Sequence, residues 1–358
     1  MKIGCVQLSE VRSYRALTLH PAPLLNILVG PNAQGKTNLL EALGLLVTGR
    51  SFRTPRISEV PRWGAETAAI TGELMRTEAG VESRRVVRRV VTHAGDGSWQ
   101  ATGDGAPEWA RAIAFGWQDV EIVNGAPGTR RGFVDGFAGR LYPTHLATLV
   151  RYRQILARRN RVLQMHRHDA GLAGRLEPWS EQLATTGVEL IARRRKAVAA
   201  LQTELARVWG SLAAPRSKVE VRYRGALGEA DEPAAFVAAL ARAHREEVRR
   251  GQTLVGPHRD DLSIEIDGVD ARTFGSRGQQ RMVALALRLA EVLPVTEAAG
   301  TAPVLLLDDA LSELDPRARE LILREIGAAE QVFLTTPEPL AEAGAAVFHV
   351  NGGGVTAG

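Results

Sequence analysis

Cysteine is nearly absent from this chain: Cys5 is the only one in 358 residues. An intramolecular disulfide is thereby excluded, as is a metal site built on paired cysteines, and a reducing compartment is the natural setting. Long apolar runs are missing too, none approaching the roughly 20 residues of a membrane span. The opening MKIGCVQLSEVRSYRAL carries polar and charged residues where a secretory signal would be apolar, so a cytoplasmic protein with no membrane partner is expected. The eight histidines lack metal-ligand spacing, and no acidic cluster suited to two-metal cleavage stands apart from residues 308–309, so nuclease activity is not expected. Repeats and low-complexity tracts are absent. The 45% hydrophobic and 24% charged residues fall in the globular range and exclude disorder, collagen and coiled-coil rods.

The formal net charge of +5 hides an asymmetry. Residues 140–250 hold 21 basic and 11 acidic residues, whereas the remainder holds 24 and 29. Only four of the basic residues are lysine, but a bias toward arginine leaves that contrast unexplained. A basic middle between acidic flanks favours a polyanion, nucleic acid first and an acidic membrane surface second.

Hydrophobic spacing sorts the chain into α/β ends and a helical middle. Residues 23–30 read as a buried strand; Leu39, Leu40, Leu43, Leu46 and Val47 then recur at helical spacing, with Gly49 as a C-cap. Residues 83–92 read as a strand and 95–105 as a loop or hairpin. Two helices are expected over 151–166 and 179–212, the second carrying Ile191, Val198, Leu205 and Leu212 at sevens with Leu201 and Val208 between them. Gly171, Gly174 and Pro178 mark a turn, giving an antiparallel hairpin about 30–50 Å long at 1.5 Å per residue. Further strands are expected at 219–223, 262–266, 304–307 and 332–334, and helices at 232–250 and 316–326. The organisation expected is a discontinuous head, residues 1–138 and 252–358, interrupted by a basic helical arm at 139–251.

Gly30, Pro31, Asn32, Ala33, Gln34, Gly35, Lys36 and Thr37 satisfy G-x-x-x-x-G-K-[ST] between that strand and that helix. Gly35 lets the backbone close on a phosphate at the helix N-terminus, with Asn38 following in the first turn. Lys36 then reaches the β/γ-phosphates, and the Thr37 hydroxyl ligates Mg²⁺. The run VLLLDD at 304–309 supplies the matching half: a buried strand with Asp308 placed to hold Mg²⁺ and Asp309 to polarise an attacking water. Ser276, Gly278 and Gln279 open a helix 32 residues before Asp308 and present groups suited to a γ-phosphate, although in isolation an ordinary N-cap is the favoured reading. The segment LSELD at 311–315 directly follows the acidic strand.

Together these features resemble the head of ATP-binding-cassette ATPases. The stretches NAQGKTNLLEAL, GRSFRT, GAPGTRRGFVDG, VGPHRDDL, SRGQQRMVALALRLAE and LLLDDALSELD, spread over residues 32–315, resemble the RecF family. That resemblance implies an α/β fold: an SMC-type P-loop head with an inserted antiparallel helical arm. It also implies binding and slow hydrolysis of ATP with Mg²⁺, an ATP-dependent homodimer, and binding to duplex DNA and single-strand/duplex junctions. RecR and RecO would be the partners in loading recombinase at gaps during DNA repair. An SMC-type DNA tether and a nuclease-associated ATPase are the alternative readings. By the same resemblance Ser276, Gly278 and Gln279 act in trans on a partner's nucleotide, Gln118 falls where a Q-loop runs, and Arg12 matches a basic residue near the phosphates. Two departures from the cassette pattern, Asp309 in place of glutamate and Thr335-Thr336 in place of a histidine switch, point to slow turnover. Arg151, Arg153, Arg158, Arg159, Arg193, Arg194, Arg195 and Lys196 are candidates for DNA phosphate contacts, which would be steeply salt-dependent and nearly indifferent to sequence. Arg130-Arg131 belongs to a RecF-like stretch and reads equally as structural; for His258-Arg259 a metal or catalytic pair is the alternative to a favoured structural role in packing or loop positioning.

Overall fold

Short runs of consecutive apolar residues build the parallel sheet, and alternating runs build the antiparallel one. The computed structural model describes residues 1–358 apart from 167, 170, 213–216, 229–231, 313, 328 and 341–343, so Glu313 of the LSELD segment lies outside the described residues. In chain order the elements are β1 (Lys2–Val11), β2 (Tyr14–Leu19), β3 (Leu24–Val29), α1 (Lys36–Thr48), β4 (Thr67–Glu78), β5 (Val81–His93), β6 (Trp99–Gly103) and β7 (Ala112–Phe115). There follow α2 (Glu121–Asn124), α3 (Pro127–Leu141), α4 (His145–Met165), α5 (Leu172–Leu212), β8 (Val219–Arg224), α6 (Pro233–Arg250), β9 (Asp261–Ile266), β10 (Val269–Asp270) and α7 (Ala271–Phe274). The last are α8 (Arg277–Ala290), α9 (Val292–Ala299), β11 (Val304–Leu307), α10 (Pro316–Ile326), β12 (Gln331–Thr336), β13 (Ala346–Asn351) and β14 (Gly354–Ala357).

The chain divides into two units, one of Met1–Val120, Val208–Pro215 and Arg281–Gly358, the other of Glu121–Arg207 and Arg216–Gln280. In the first, a six-stranded sheet runs β14-β13-β3-β12-β11-β7, parallel except for the β13/β14 hairpin. All four residues of β11 are buried, as a strand covered on both faces requires. A five-stranded antiparallel sheet runs β2-β1-β4-β5-β6, and β4 alternates buried and partly exposed residues along its first eight positions. α1 packs against strands of both sheets, which is why it is apolar nearly all round. Gly72 on β4 allows the close approach: a Cβ there would lie 2.3 Å from Leu46 Cδ2.

The second unit joins three long helices to the small antiparallel sheet β10-β9-β8. Its apolar core draws Leu149, Tyr152 and Ile155 from α4, Leu183 and Leu190 from α5, and Phe236 and Leu240 from α6. α4 and α5 are antiparallel, since Thr148 meets Arg193 while Arg159 meets Ser180. The turn between them is shorter than expected. α5 already begins at Leu172 and contains Gly174 and Pro178. Pro178 lies in its second turn, where the missing N–H leaves only the Gly174 carbonyl without its usual donor. At 41 residues, α5 is about 60 Å long. The unit also reaches further along the chain than 139–251, because α2, α3, β9 and α7 pack together within it. Arg130 on α3, for instance, forks onto Asp261 of β9 at 2.7 and 2.8 Å.

Two arginines expected at a DNA surface are instead buried. Arg159, 1% exposed, donates to Glu247 (2.7 Å), Thr253 (2.8 Å) and Ser180 (3.1 Å). Arg194, 2% exposed, forks onto Asp135 at 2.7 and 2.9 Å and donates to the Pro257 carbonyl. A guanidinium sealed among such acceptors has nothing to offer a phosphate, and extracting it would strand a buried carboxylate. Burial alone would raise the Asp135 pKa, but hydrogen bonds from His145 and Arg194 hold it below the ordinary value.

His258 completes this polar interior. Its Nε2 donates to the Thr253 carbonyl (3.1 Å) and its Nδ1 shares a hydrogen bond with the Tyr152 hydroxyl (2.7 Å). Burial lowers its pKa from 6.5 to about 4, with Arg259 and Arg131 adding to the effect. Between those values the unfolded chain binds the extra proton, so stability falls as pH drops from 6.5 toward 4, by about 1.4 kcal/mol per unit. Urea titrations of wild type and His258→Gln at pH 7 and pH 5 are expected to show a smaller loss in the variant; equal losses would refute the assignment.

Candidate functional site

Adjacent parallel strands end together, and the residues just beyond them form the site. The register pairs Val29 of β3 with Thr336 of β12, and Leu307 of β11 with both Leu334 of β12 and Phe115 of β7. Ligands bind at such carboxyl ends in open α/β sheets. From β3 the chain turns through Gly30–Gly35 into α1. Gly35, the N-cap, has φ +115°, which strains any side chain, and a Cβ there would stand 2.7 Å from Ser13 Oγ, which would have to turn aside. The buried Tyr14 hydroxyl donates to the Gly35 carbonyl (3.0 Å) and fixes the turn from behind.

Lys36, 8% exposed, folds its ammonium onto the carbonyls of Gly30 and Pro31. Burial lowers its pKa, and the charges of Asp309 and Asp308 act in the opposite direction. Thr37 Oγ1 and Thr335 Oγ1 each donate to Asp308 Oδ1 at 2.9 Å. Asp308 is 7% exposed, and burial raises its pKa; the two hydroxyls pull it down, while Asp309 pushes it up. Asp309 is exposed, with a left-handed backbone at φ +52°. Its N–H donates to Thr335 Oγ1 (2.8 Å), and its carbonyl accepts from Arg281 and from Ser312 Oγ (3.0 Å). One hydroxyl, Thr335, thus orients both acidic residues.

These groups line a cavity of about 380 Å³ together with Asn32, Ala33, Asn38, Arg53, Trp117 and Arg281. Three of these were not anticipated. Arg53 belongs to the GRSFRT stretch, Trp117 immediately precedes Gln118, and Arg281 lies five residues beyond Ser276. Five residues expected at the nucleotide, Arg12, Gly30, Pro31, Gln34 and Gln118, are not among those lining the cavity. Arg12 forks onto Glu41 at 2.8 Å and does not line the cavity, and Gln118 Nε2 donates to the Phe52 carbonyl. Gln34 accepts from the Gly352 N–H (2.8 Å). The Gln118 loop is anchored by Asp119, which accepts from the Gly116 N–H (2.7 Å) and pairs with Arg288 at 2.6 Å.

Within the second unit, Ser276 and Gln279 form a capping box at the start of α8. Gln279 N–H donates to Ser276 Oγ (3.2 Å), and Ser276 N–H donates to Gln279 Oε1 (2.9 Å). Ser276, Arg277, Gly278 and Gln279 are exposed, and a Cβ on Gly278 would meet nothing within 4 Å. Phe274 beside them is 74% exposed. Of the remaining arm candidates, Arg151, Arg153, Arg158 and Lys196 are exposed, with Arg158 lying 5.5 Å from the Trp179 ring centroid. Arg193 pairs with Glu189, and Arg195 donates to the Gly228 carbonyl.

A phosphate-binding loop, an acidic strand and a Ser-x-Gly-Gln helix start define the class as an ABC-type ATP-binding head of the SMC kind. Comparison with known proteins agrees. The family profile of the RecF/RecN/SMC N terminal domain matches residues 2–350. The DNA replication and repair protein RecF of Heliobacterium modesticaldum is 34% identical over 99% of this chain and 98% of its own length. That of Lactobacillus delbrueckii subsp. bulgaricus is 37% identical over 92% of this chain and 89% of its own. Among solved structures, that of the recombination mediator protein RecF-ATP in the RecFOR pathway superposes with a TM-score of 0.87 at 28% identity, covering 99% of this chain and 97% of that one. The Smc head domain of Pyrococcus furiosus shares the fold, with a TM-score of 0.55 at 16% identity and coverage of 99% and 95%. The chain belongs to the RecF family of DNA replication and repair proteins. Among the described residues no helix is long and apolar enough to cross a membrane.

Gly35→Ala is expected to cost about 1–2 kcal/mol in stability from backbone strain alone and to weaken binding of a fluorescent ATP analogue. Wild-type melting temperature and affinity in that variant would show that the loop tolerates a side chain.

Proposed function

We propose that this protein is an ATP-gated DNA clamp for recombinational repair, in which nucleotide joins two copies and slow hydrolysis releases them. The observation that carries this reading is the pairing of two unlike half-sites on one chain. One is the cavity under Lys36, Thr37, Asp308 and Asp309; the other is the exposed, preformed Ser276-Gly278-Gln279 cap. The first supplies the cationic loop and carboxylates for a triphosphate, and the second supplies a hydroxyl and a positive helix end for its outer phosphate. A head-to-tail pair of copies completes two such sites.

Mg²⁺ fits the first half-site. Thr37 Oγ1 and Asp308 Oδ1 are hard oxygen donors already in contact at 2.9 Å, and one carboxylate plus phosphate oxygens and water is the usual Mg²⁺ environment. When bound, the ion neutralises phosphate charge. Asp309 then orients the attacking water, with its backbone held by Thr335 and Arg281. Its carboxylate is one methylene shorter than a glutamate, and the Thr335 hydroxyl cannot exchange a proton near neutral pH, so turnover is slow. No nuclease activity belongs to this reading.

Arg151, Arg153, Arg158 and Lys196 remain as the DNA candidates, with phosphate contacts that favour duplex and junction DNA without reading sequence. Likeness to RecF of the RecFOR pathway supports RecO and RecR as cytoplasmic partners in loading recombinase at gaps.

With a non-hydrolysable ATP analogue and Mg²⁺, light scattering is expected to report a dimer. Ser276→Arg is expected to stay monomeric while still binding the analogue at its own Lys36 half-site, more weakly than the dimerising wild type. A saturated wild-type protein that remains a monomer would overturn the clamp.

A further inference from the structure

Glu41 stands one turn beyond Thr37 on α1, with its side chain 1% exposed. A carboxylate this deep in an apolar helix is costly unless fully paired. Three side chains meet it. Arg12 forks onto both oxygens at 2.8 Å, Ser51 Oγ donates at 2.5 Å, and Arg53 Nη1 donates at 3.1 Å. The same Arg53 nitrogen also donates to Asn38 Oδ1 (2.7 Å), and Arg53 lines the cavity beside Lys36 and Thr37. Phe52, between Ser51 and Arg53, offers its carbonyl to Gln118. The segment leaving the α1 C-cap at Gly49 is therefore drawn back to the cavity by one buried carboxylate.

The charges do not cancel. Arg12 occupies Glu41 through two nitrogens, whereas Arg53 commits only Nη1 among the described residues. Within the Arg12, Glu41 and Arg53 cluster two cations face one anion, and the second of them, Arg53, sits on the wall of the phosphate cavity, within electrostatic reach of Asp308. An arginine held in place loses less rotamer freedom on meeting an anion than one free in solvent.

We propose that Glu41 is a positioning residue that holds the Arg53 guanidinium toward the phosphates of the bound nucleotide. The proposal rests on the cavity being a nucleotide site. Glu41 touches no ligand itself and acts through Arg53, with Ser51 as a lesser support.

A double-mutant cycle on the full-length protein tests it, reading the affinity for a non-hydrolysable, fluorescent ATP analogue with Mg²⁺. Glu41→Gln and Arg53→Ala are each expected to weaken binding by about tenfold, the scale of one charge-assisted contact. The double variant is expected to bind no more weakly than Arg53→Ala. If Glu41 serves only the stability of the loop, its substitution costs as much in the Arg53→Ala background, or lowers the melting temperature with affinity unchanged; either outcome overturns the proposal. Should Glu41→Gln fail to fold, Ser51→Ala serves instead. A drop of about threefold with Arg53 present and none in Arg53→Ala is expected, and equal effects in both backgrounds refute the link. Wild-type protein that binds no analogue overturns the nucleotide reading itself, which separates that failure from failure of the Glu41 role.

Discussion

The buried carboxylate of Asp308, bound by the hydroxyls of Thr37 and Thr335, is the junction on which the head is organised. It joins the first turn of α1 to the ends of β11 and β12, so the phosphate loop and the acidic strand keep one fixed spacing. A carboxylate in that position is tolerable only because hydroxyl donors meet it. The parallel sheet places it, and α1, wedged between the two sheets, holds the loop against it. Neighbouring Asp309 takes a left-handed backbone that costs free energy and persists because both its N–H and its carbonyl are captured.

The second unit follows a different rule. Its helices meet through apolar faces that also bury guanidiniums, and each buried cation is matched by a carboxylate from another element: Arg159 by Glu247, Arg194 by Asp135, Arg130 by Asp261. Removing one partner leaves the other uncompensated, so these pairs specify which helix face goes where more than they add stability. Among the described residues of 140–250, two cations, Arg159 and Arg194, and one anion, Glu247, are interior, so the surface excess falls by only one charge.

Legibility in the sequence tracked how local each signal is. β11 and α10 lie at the expected residues, 304–307 and 316–326, because a four-residue apolar strand and a Pro-initiated amphipathic helix announce themselves within their own length. Of the antiparallel sheet, β5 was readable as a strand at 83–92 despite its paired arginines, whereas β1 was hidden, because a register shift between Ile3 and Cys5 breaks its alternation. The phosphate loop and the acidic strand were readable as contiguous motifs. Arg53, Trp117 and Arg281 were not, since only the tertiary fold brings those three to one cavity. Arg159 and Arg194 carried a usable signal that their charge concealed. Tyr152, Ile155, Arg159 and Leu163 recur at spacings of three and four, as do Ile191, Arg194 and Val198, which puts both cations on buried stripes.

The cap at the start of α8 has one more implication. Ser276 Oγ spends one lone pair on the Gln279 N–H and keeps its proton, with a second lone pair, free to turn outward. The atom that terminates the helix is then also the atom that would greet an anion, already oriented before anything arrives. Helix boundary and recognition point are one oxygen, and neither can drift without the other.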